Sequence, residues 1–409
     1  MKLTRVEARH CFSLEDVGVD LSPGVTVLVG PNATGKTNFV RTLEFLRDAV
    51  RDGLDHAVAA RGGIGRLRQH SGEADITGLV EIGIHATQSF KKNANRHAHY
   101  VLKIDSAADG NYRVASEDAA YHHEELFPQD ESQQVWDWEV YELGFTRDGA
   151  GQILRKNISP NTPFTIEDTQ RLALGALLEE TRMVGLDELG KPLERHILRW
   201  RFSSLYPNIL RQVTTLHADT SLREDGSNWV SVIRSAQRTE EGRQVLERIY
   251  EMMRVVLPDF RDVAVTPVGS YLIPFFRFGK NGATERQFDP AQLSDGTLRV
   301  FGILLSLYQA PTPSLIVIEE PEQTVHPAVL SMLAEAFKEV AELTQVVVTT
   351  HSPQLIEHFE PDNIRIVTMQ DGVTHIAPIK ESQREAVQRG LMTLGEFMAA
   401  EGLQPEEAP

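Results

Sequence analysis

Residues 25–46 read VTVLVGPNATGKTNFVRTLEFL. The first five, Val25 to Val29, are apolar or β-branched, the composition of a short buried strand. After Lys36, Phe39, Leu43 and Leu46 recur at the spacing of one helical face. Between strand and helix, Gly30, Gly35, Lys36 and Thr37 satisfy the pattern G-x-x-x-x-G-K-[ST] at every fixed position. A chain that passes from strand to helix in this way turns successive backbone N–H groups inward at a helix N-terminus, where they can bond phosphate oxygens. The lysine adds a mobile cation and the threonine hydroxyl one coordination position for Mg²⁺. Gly30, Pro31, Asn32, Ala33, Thr34, Gly35, Lys36, Thr37 and Asn38 are therefore the expected cradle of a nucleotide, ATP with Mg²⁺.

Such a loop needs an acidic element to hold the metal and orient a water. Residues 315–322, LIVIEEPE, supply it: an apolar strand stops at Glu319 and Glu320, two carboxylates at the edge where open α/β sheets bind ligands. The next apolar strand, QVVVTTHSP at 345–353, stops at His351, whose ring N–H could sense a terminal phosphate. A third element, LSDGT at 293–297, opens a helix with Ser294 and the N–H groups around Gly296. One nucleotide does not need two phosphate-binding helix ends from a single chain. Two chains facing each other do, and a homodimer or larger homo-oligomer is expected.

The rest of the chain fits this reading. Its 409 residues, 41% hydrophobic, can bury a sizeable core. The net charge of −17 repels phosphate backbones as a whole, so a nucleic-acid partner would need a local basic patch such as Arg61, Arg66, Arg68 and His70, or Lys91, Lys92 and Arg96. A single cysteine, Cys11, reads as a packed strand residue and permits no internal disulfide. No signal peptide or membrane span is visible, and a cytoplasmic location without membrane contact is expected.

Residues 1–85 alternate strands with the helix after Lys36 and read as the N-terminal lobe of an α/β domain. Residues 86–261 read as an inserted β-layer followed by a mostly helical stretch, in which Val245, Leu246, Ile249, Met252, Met253 and Val256 form a helical core stripe. Residues 262–409 return to α/β, with a strand pair, NIRIVTM and VTHIAPI, a last helix over REAVQRGLMTLGEFMAAEGL, and a frayed tail. The expected fold class is α/β: one nucleotide domain split in sequence, with a mixed sheet, an antiparallel β-layer and a helical insertion.

Phosphate loop, LSDGT, LIVIEEPE and TTHSP, in this order, resemble the ABC-type ATPase heads of the RecF and chromosome-maintenance (SMC) class. EEPEQTVHP and THSPQLIE resemble more closely the ATPase halves of OLD-type nucleases and the stand-alone predicted ATPases of bacterial defence loci. The resemblance implies a P-loop NTPase in which Lys36 meets the phosphates, Thr37 and Glu319 hold Mg²⁺, and Glu320 is the general base. It further implies that Ser294 reaches the γ-phosphate of a partner chain and that His351 is the switch. A separate effector, a nuclease or a toxin, is an expected partner; a RecF-like DNA clamp and a nucleotide-stabilised scaffold are the alternatives. The chain departs from the class at Glu319, where aspartate is usual, and at Asp295, which replaces a signature glycine. Gln69 stands either for the usual Q-loop glutamine or for a surface residue. The 58 residues after His351 lack the acidic clusters of the OLD-type nuclease domain, so a built-in nuclease is not expected.

Overall fold

A computed structural model of the chain describes residues 1–68, 79–90, 94–106, 110–130, 133–156, 164–168, 170–174, 190–215, 221–279 and 285–406. At its centre is a six-stranded sheet in the order Trp200–Ser203, Leu315–Glu319, Gln345–Thr350, Val25–Val29, Ile364–Gln370, Val373–Pro378. All neighbours are parallel except the last pair. Val25–Val29 and Gln345–Thr350 are buried at every residue, as strands covered on both faces must be, and this explains why valine, leucine and threonine fill them almost throughout.

The two faces pack on different cores, and alternation along each strand decides which side chain goes where. Leu28, Val317 and Val347 point to a core shared with the phosphate-loop helix Lys36–Asp52, which contributes Phe39, Leu43 and Leu46. That core is closed by an antiparallel sheet of eight strands, from Leu14–Asp20 through Lys2–Cys11 and Val80–Phe90 to Phe164–Thr165. Val27, Val29, Ile316, Ile318, Val346 and Val348 point the other way, onto the helices Asp295–Leu307, Leu330–Ala341 and Glu240–Val256. In the last of these, Leu246, Ile249, Met252 and Met253 of the expected stripe are buried, and the Thr239 hydroxyl caps its start by accepting from Gly242 N at 3.1 Å. Cys11 closes its strand fully buried, its thiol pushed up to about 12 by desolvation.

Several elements depart from the sequence reading. Trp200–Ser203, within a stretch expected to be mostly helical, is the edge strand of the parallel sheet, because pairing with Leu315–Ile318 satisfies its backbone. The strands read near DVAVTPV and YLIPFFRF do form, as Phe260–Val268 and Tyr271–Phe278, and they pair with each other in a small sheet apart from the parallel one. Residue 85 lies within Val80–Phe90, so the antiparallel sheet draws strands from both sides of that position. The C-terminal helix is two helices, Glu381–Gln388 and Leu394–Ala400, since Gly390 turns left-handed at φ 69° and Thr393 with Glu396 forms a new capping box. The tail is tied rather than frayed as far as Glu406, whose N–H bonds Pro378 O at 2.9 Å, with Ile379 bridged to Pro405. The part of the expected helical run at 175–189 lies outside the described residues. Among the described residues no helix is long and apolar enough to cross a membrane.

Candidate nucleotide site

The phosphate loop leaves the sheet at its carboxyl edge, between two flanking parallel strands, and each of its bends has a visible cause. Gly35 takes φ 100° and Ala33 φ 65°. A Cβ on Gly35 would lie 1.9 Å from Thr374 Oγ1, and one on Gly30 2.2 Å from the Val367 carbonyl oxygen. Both glycines are thus demanded by the close packing of the loop on the neighbouring strands, a reason additional to the backbone direction that the motif implied. The same wall fixes the loop by hydrogen bonds: Thr374 Oγ1 donates to Thr34 O at 3.0 Å, and Asn38 Nδ2 donates to Ser13 Oγ at 2.7 Å. Ser13 and Thr374 share a 2.6 Å hydroxyl contact behind it.

Lys36 is only 4% exposed, and its ammonium donates to the carbonyls of Gly30 and Pro31, each at 2.7 Å. Burial holds its pKa below the ordinary lysine value, against the pull of Glu320, Glu322 and Glu319. This cation is costly to keep folded and is aimed at carboxylates and loop carbonyls, the setting in which an anionic ligand has most to offer. Thr37 Oγ1 donates to Glu319 Oε2 at 3.0 Å. The extra methylene of Glu319 therefore does not prevent it from meeting the threonine of the loop. Its other oxygen, Oε1, accepts from Ser204 Oγ at 3.2 Å.

Glu320 continues the strand by one hydrogen bond, to Thr349 O at 2.9 Å, and then turns at φ 43°. A left-handed glutamate is costly, and such strain gathers at functional turns. The carbonyls of Glu319 and Glu320 both accept from Arg299 Nη2, at 2.8 and 3.2 Å, while the Gln323 amide donates to the Glu320 carboxylate. His351 faces this turn, its Nδ1 3.8 Å from Glu320 Oε1 and 3.2 Å from Glu322 Oε1. A cleft of about 380 Å³ opens among Thr37, Arg41, Glu44, Arg299, Glu319 and Glu320. Glu44 is pushed up to about 7 there by burial and by the carboxylates of Glu224 and Glu319.

The structure brings Lys36, Thr37, Glu319, Glu320 and His351 together at one sheet edge. Ser294 and Gly296 are not among the residues lining the cleft. Ser294 caps the helix Asp295–Leu307, its hydroxyl accepting from Thr297 N at 3.2 Å, and Asp295 is paired with Arg211 at 2.6 Å. Gly296 lies so close to the acidic turn that a Cβ would stand 2.4 Å from Thr324 O. Of the proposed basic strips, Arg61 is drawn inward to Asp48 at 2.9 Å and stacks over Phe45. Gln69, His70, Lys91 and Lys92 lie outside the described residues. Sequence reasoning missed Arg299, Glu322, Ser204 and Glu44. Arg299 was detectable as a lone charge in the apolar run TLRVFGILL, and Glu322 as the third acid of EEPE; Ser204 and Glu44 carry no local signal.

Strand order, phosphate loop and acidic turn together define a P-loop ATPase of the ABC head type. The sequence profile of the family described as "AAA domain, putative AbiEii toxin, Type IV TA system" matches residues 25–357, and the chain belongs to that family. The fold is similar to that of an Smc head bound to the C-winged helix domain of ScpA, with a TM-score of 0.54 at 12% identity over 94% of this chain and 99% of that one. The SMC head domain from Thermotoga maritima aligns over 93% of this chain and 100% of its own, at 14% identity with a TM-score of 0.40.

Proposed function

We propose that the protein binds ATP with Mg²⁺, hydrolyses it, and uses ATP to join two copies of itself, passing the nucleotide state to a separate effector in bacterial anti-phage defence. The observation that carries the reading is the 3.0 Å contact between Thr37 Oγ1 and Glu319 Oε2 beside the buried Lys36 ammonium. A hydroxyl and a carboxylate converging next to a phosphate-loop lysine fit a hard divalent cation bridging to phosphate. Thr37 and Glu319 would hold Mg²⁺, whose charge would offset that of the phosphates.

The remaining steps belong to the chain's own groups. Lys36 exchanges two carbonyl partners for phosphate oxygens. Glu320, presented beyond the strand end by its left-handed turn, takes the proton of the attacking water. His351 orients toward the terminal phosphate, and Ser294 with the Gly296 turn completes the site of the facing chain. The family's description, which names a toxin and a type IV toxin–antitoxin system, supports the toxin kind of effector; a nuclease effector and a cytoplasmic setting belong to the same proposal. Light scattering of Glu320→Gln with and without ATP tests the proposal, alongside phosphate release by the wild type. A dimer seen only with ATP, and steady release, are expected; a monomer under both conditions would remove the two-chain arrangement.

A further inference from the structure

Glu322 has no role in the motifs so far, yet it is the most constrained carboxylate of the site. Its side chain is 9% exposed. Oε1 accepts from Thr350 Oγ1 at 2.6 Å and from the backbone N–H of His351 at 2.9 Å. Oε2 is buried with no hydrogen-bond partner, and so is Nδ1 of His351, although that nitrogen lies 3.2 Å from Oε1. A carboxylate kept for stability alone would have both oxygens satisfied, because an unpaired buried acceptor forfeits its hydration without return. Here an unpartnered ring nitrogen lies 3.2 Å from a carboxylate whose second oxygen is also unpartnered, so the two side chains stand within hydrogen-bond reach of each other.

We propose that Glu322 is a positioning residue for His351, fixing the ring by accepting its Nδ1–H and so presenting Nε2 toward the terminal phosphate. The same group holds the main chain of His351 and the Thr350 hydroxyl, so ring and backbone are set together. The turn that carries Glu322 also carries Glu320, and it is closed by Gln323 N to Glu320 O and Val325 N to Glu322 O, each 3.1 Å. Base and histidine thereby share one frame of reference.

The inference rests on the proposed ATPase reading, in which His351 acts during turnover. The test is a double-mutant cycle on the full chain, with kcat, KM for ATP and Tm measured for wild type, His351→Ala, Glu322→Gln and the double variant. Glu322→Gln is expected to lower kcat roughly tenfold to a hundredfold, the rate equivalent of one charged hydrogen bond, with KM and Tm unchanged. Added to His351→Ala it is expected to cost nothing further. Glu322→Asp, which keeps the charge but shortens the reach, serves as the second variant and is expected to recover part of the rate. Losses that multiply in the double variant, or wild-type kcat in Glu322→Gln or Glu322→Asp, would overturn the assignment while leaving the ATPase reading intact. A wild type that releases no phosphate, or a fully active His351→Ala, would instead overturn the reading on which it rests.

Discussion

Lys36→Met isolates the charge of the phosphate loop while keeping most of the side chain's volume. In the folded protein the ammonium is 4% exposed and bonded only to two carbonyls of its own loop, and desolvation is the largest influence on its pKa, a lowering one. Removing it therefore relieves an unfavourable burial, and the apo protein should unfold at the same temperature or slightly higher. Binding should respond in the opposite direction. If the ammonium exchanges its carbonyl partners for phosphate oxygens, the variant loses charge-assisted bonds worth about 3 kcal/mol in total, roughly two orders of magnitude in Kd. Calorimetry with a non-hydrolysable ATP analogue reads the affinity, and thermal shift with saturating nucleotide reads the linked stabilisation, which should shrink in step. A Kd within threefold of wild type would refute the assignment of Lys36 to the phosphates. A large drop in apo Tm would refute the argument that the buried cation serves binding rather than folding.

Glu320→Gln should keep ATP and Mg²⁺ binding yet slow single-turnover hydrolysis by about 10²- to 10⁴-fold, the usual contribution of a general base; normal turnover there, with Glu319→Gln inactive, would mean the two acids are reversed. Ser294→Arg should block ATP-dependent dimerisation and turnover but leave binding by each phosphate loop nearly intact. Mixing it with Lys36→Ala chains should restore part of the activity through one competent site, and no recovery despite crosslinked heterodimers would place LSDGT outside the partner's site. Cys11, its thiol pushed up to about 12, is almost entirely un-ionised at pH 8 and should resist iodoacetamide in the native protein while reacting at once in denaturant, as read by intact mass. Rapid native labelling would contradict the burial at the end of that strand.

The parallel sheet was legible because its central strands, covered on both faces, are built mainly of valine, isoleucine and leucine, and its ligand edge because Lys36, Glu319, Glu320 and His351 each terminate or follow such a run. What the sequence concealed depends on contacts between distant segments. WRFS at 200–203 alternates apolar and polar over only four residues, too short a run to stand out between helical stretches, and becomes a strand by pairing with Leu315–Ile318. Glu322 reads as one more acid in a polar turn until Thr350 and His351 close over it. The glycines were read correctly as loop glycines, but the reason they cannot be alanine, the proximity of Thr374 and Val367, involves residues more than three hundred positions away. Ser294 displays its capping role in one chain, and only a second chain could display the other.

The contact of Gly296 with Thr324 O leaves no room for even a methyl group between the LSDGT turn and the acidic turn of the same chain. These turns must shift together, because a packed interface transmits displacement instead of absorbing it. In the proposed pair of chains, the turn that meets a neighbour's nucleotide is thus mechanically continuous with the glutamate that hydrolyses the chain's own. The genetic consequence is a dosage test. Lys36→Ala copies expressed beside the wild type should silence activity only in proportion to their share of the population, since a mixed pair keeps one phosphate loop facing an intact LSDGT turn, and silencing beyond that share would mean that each base also needs its own chain's LSDGT turn engaged on a neighbour's nucleotide.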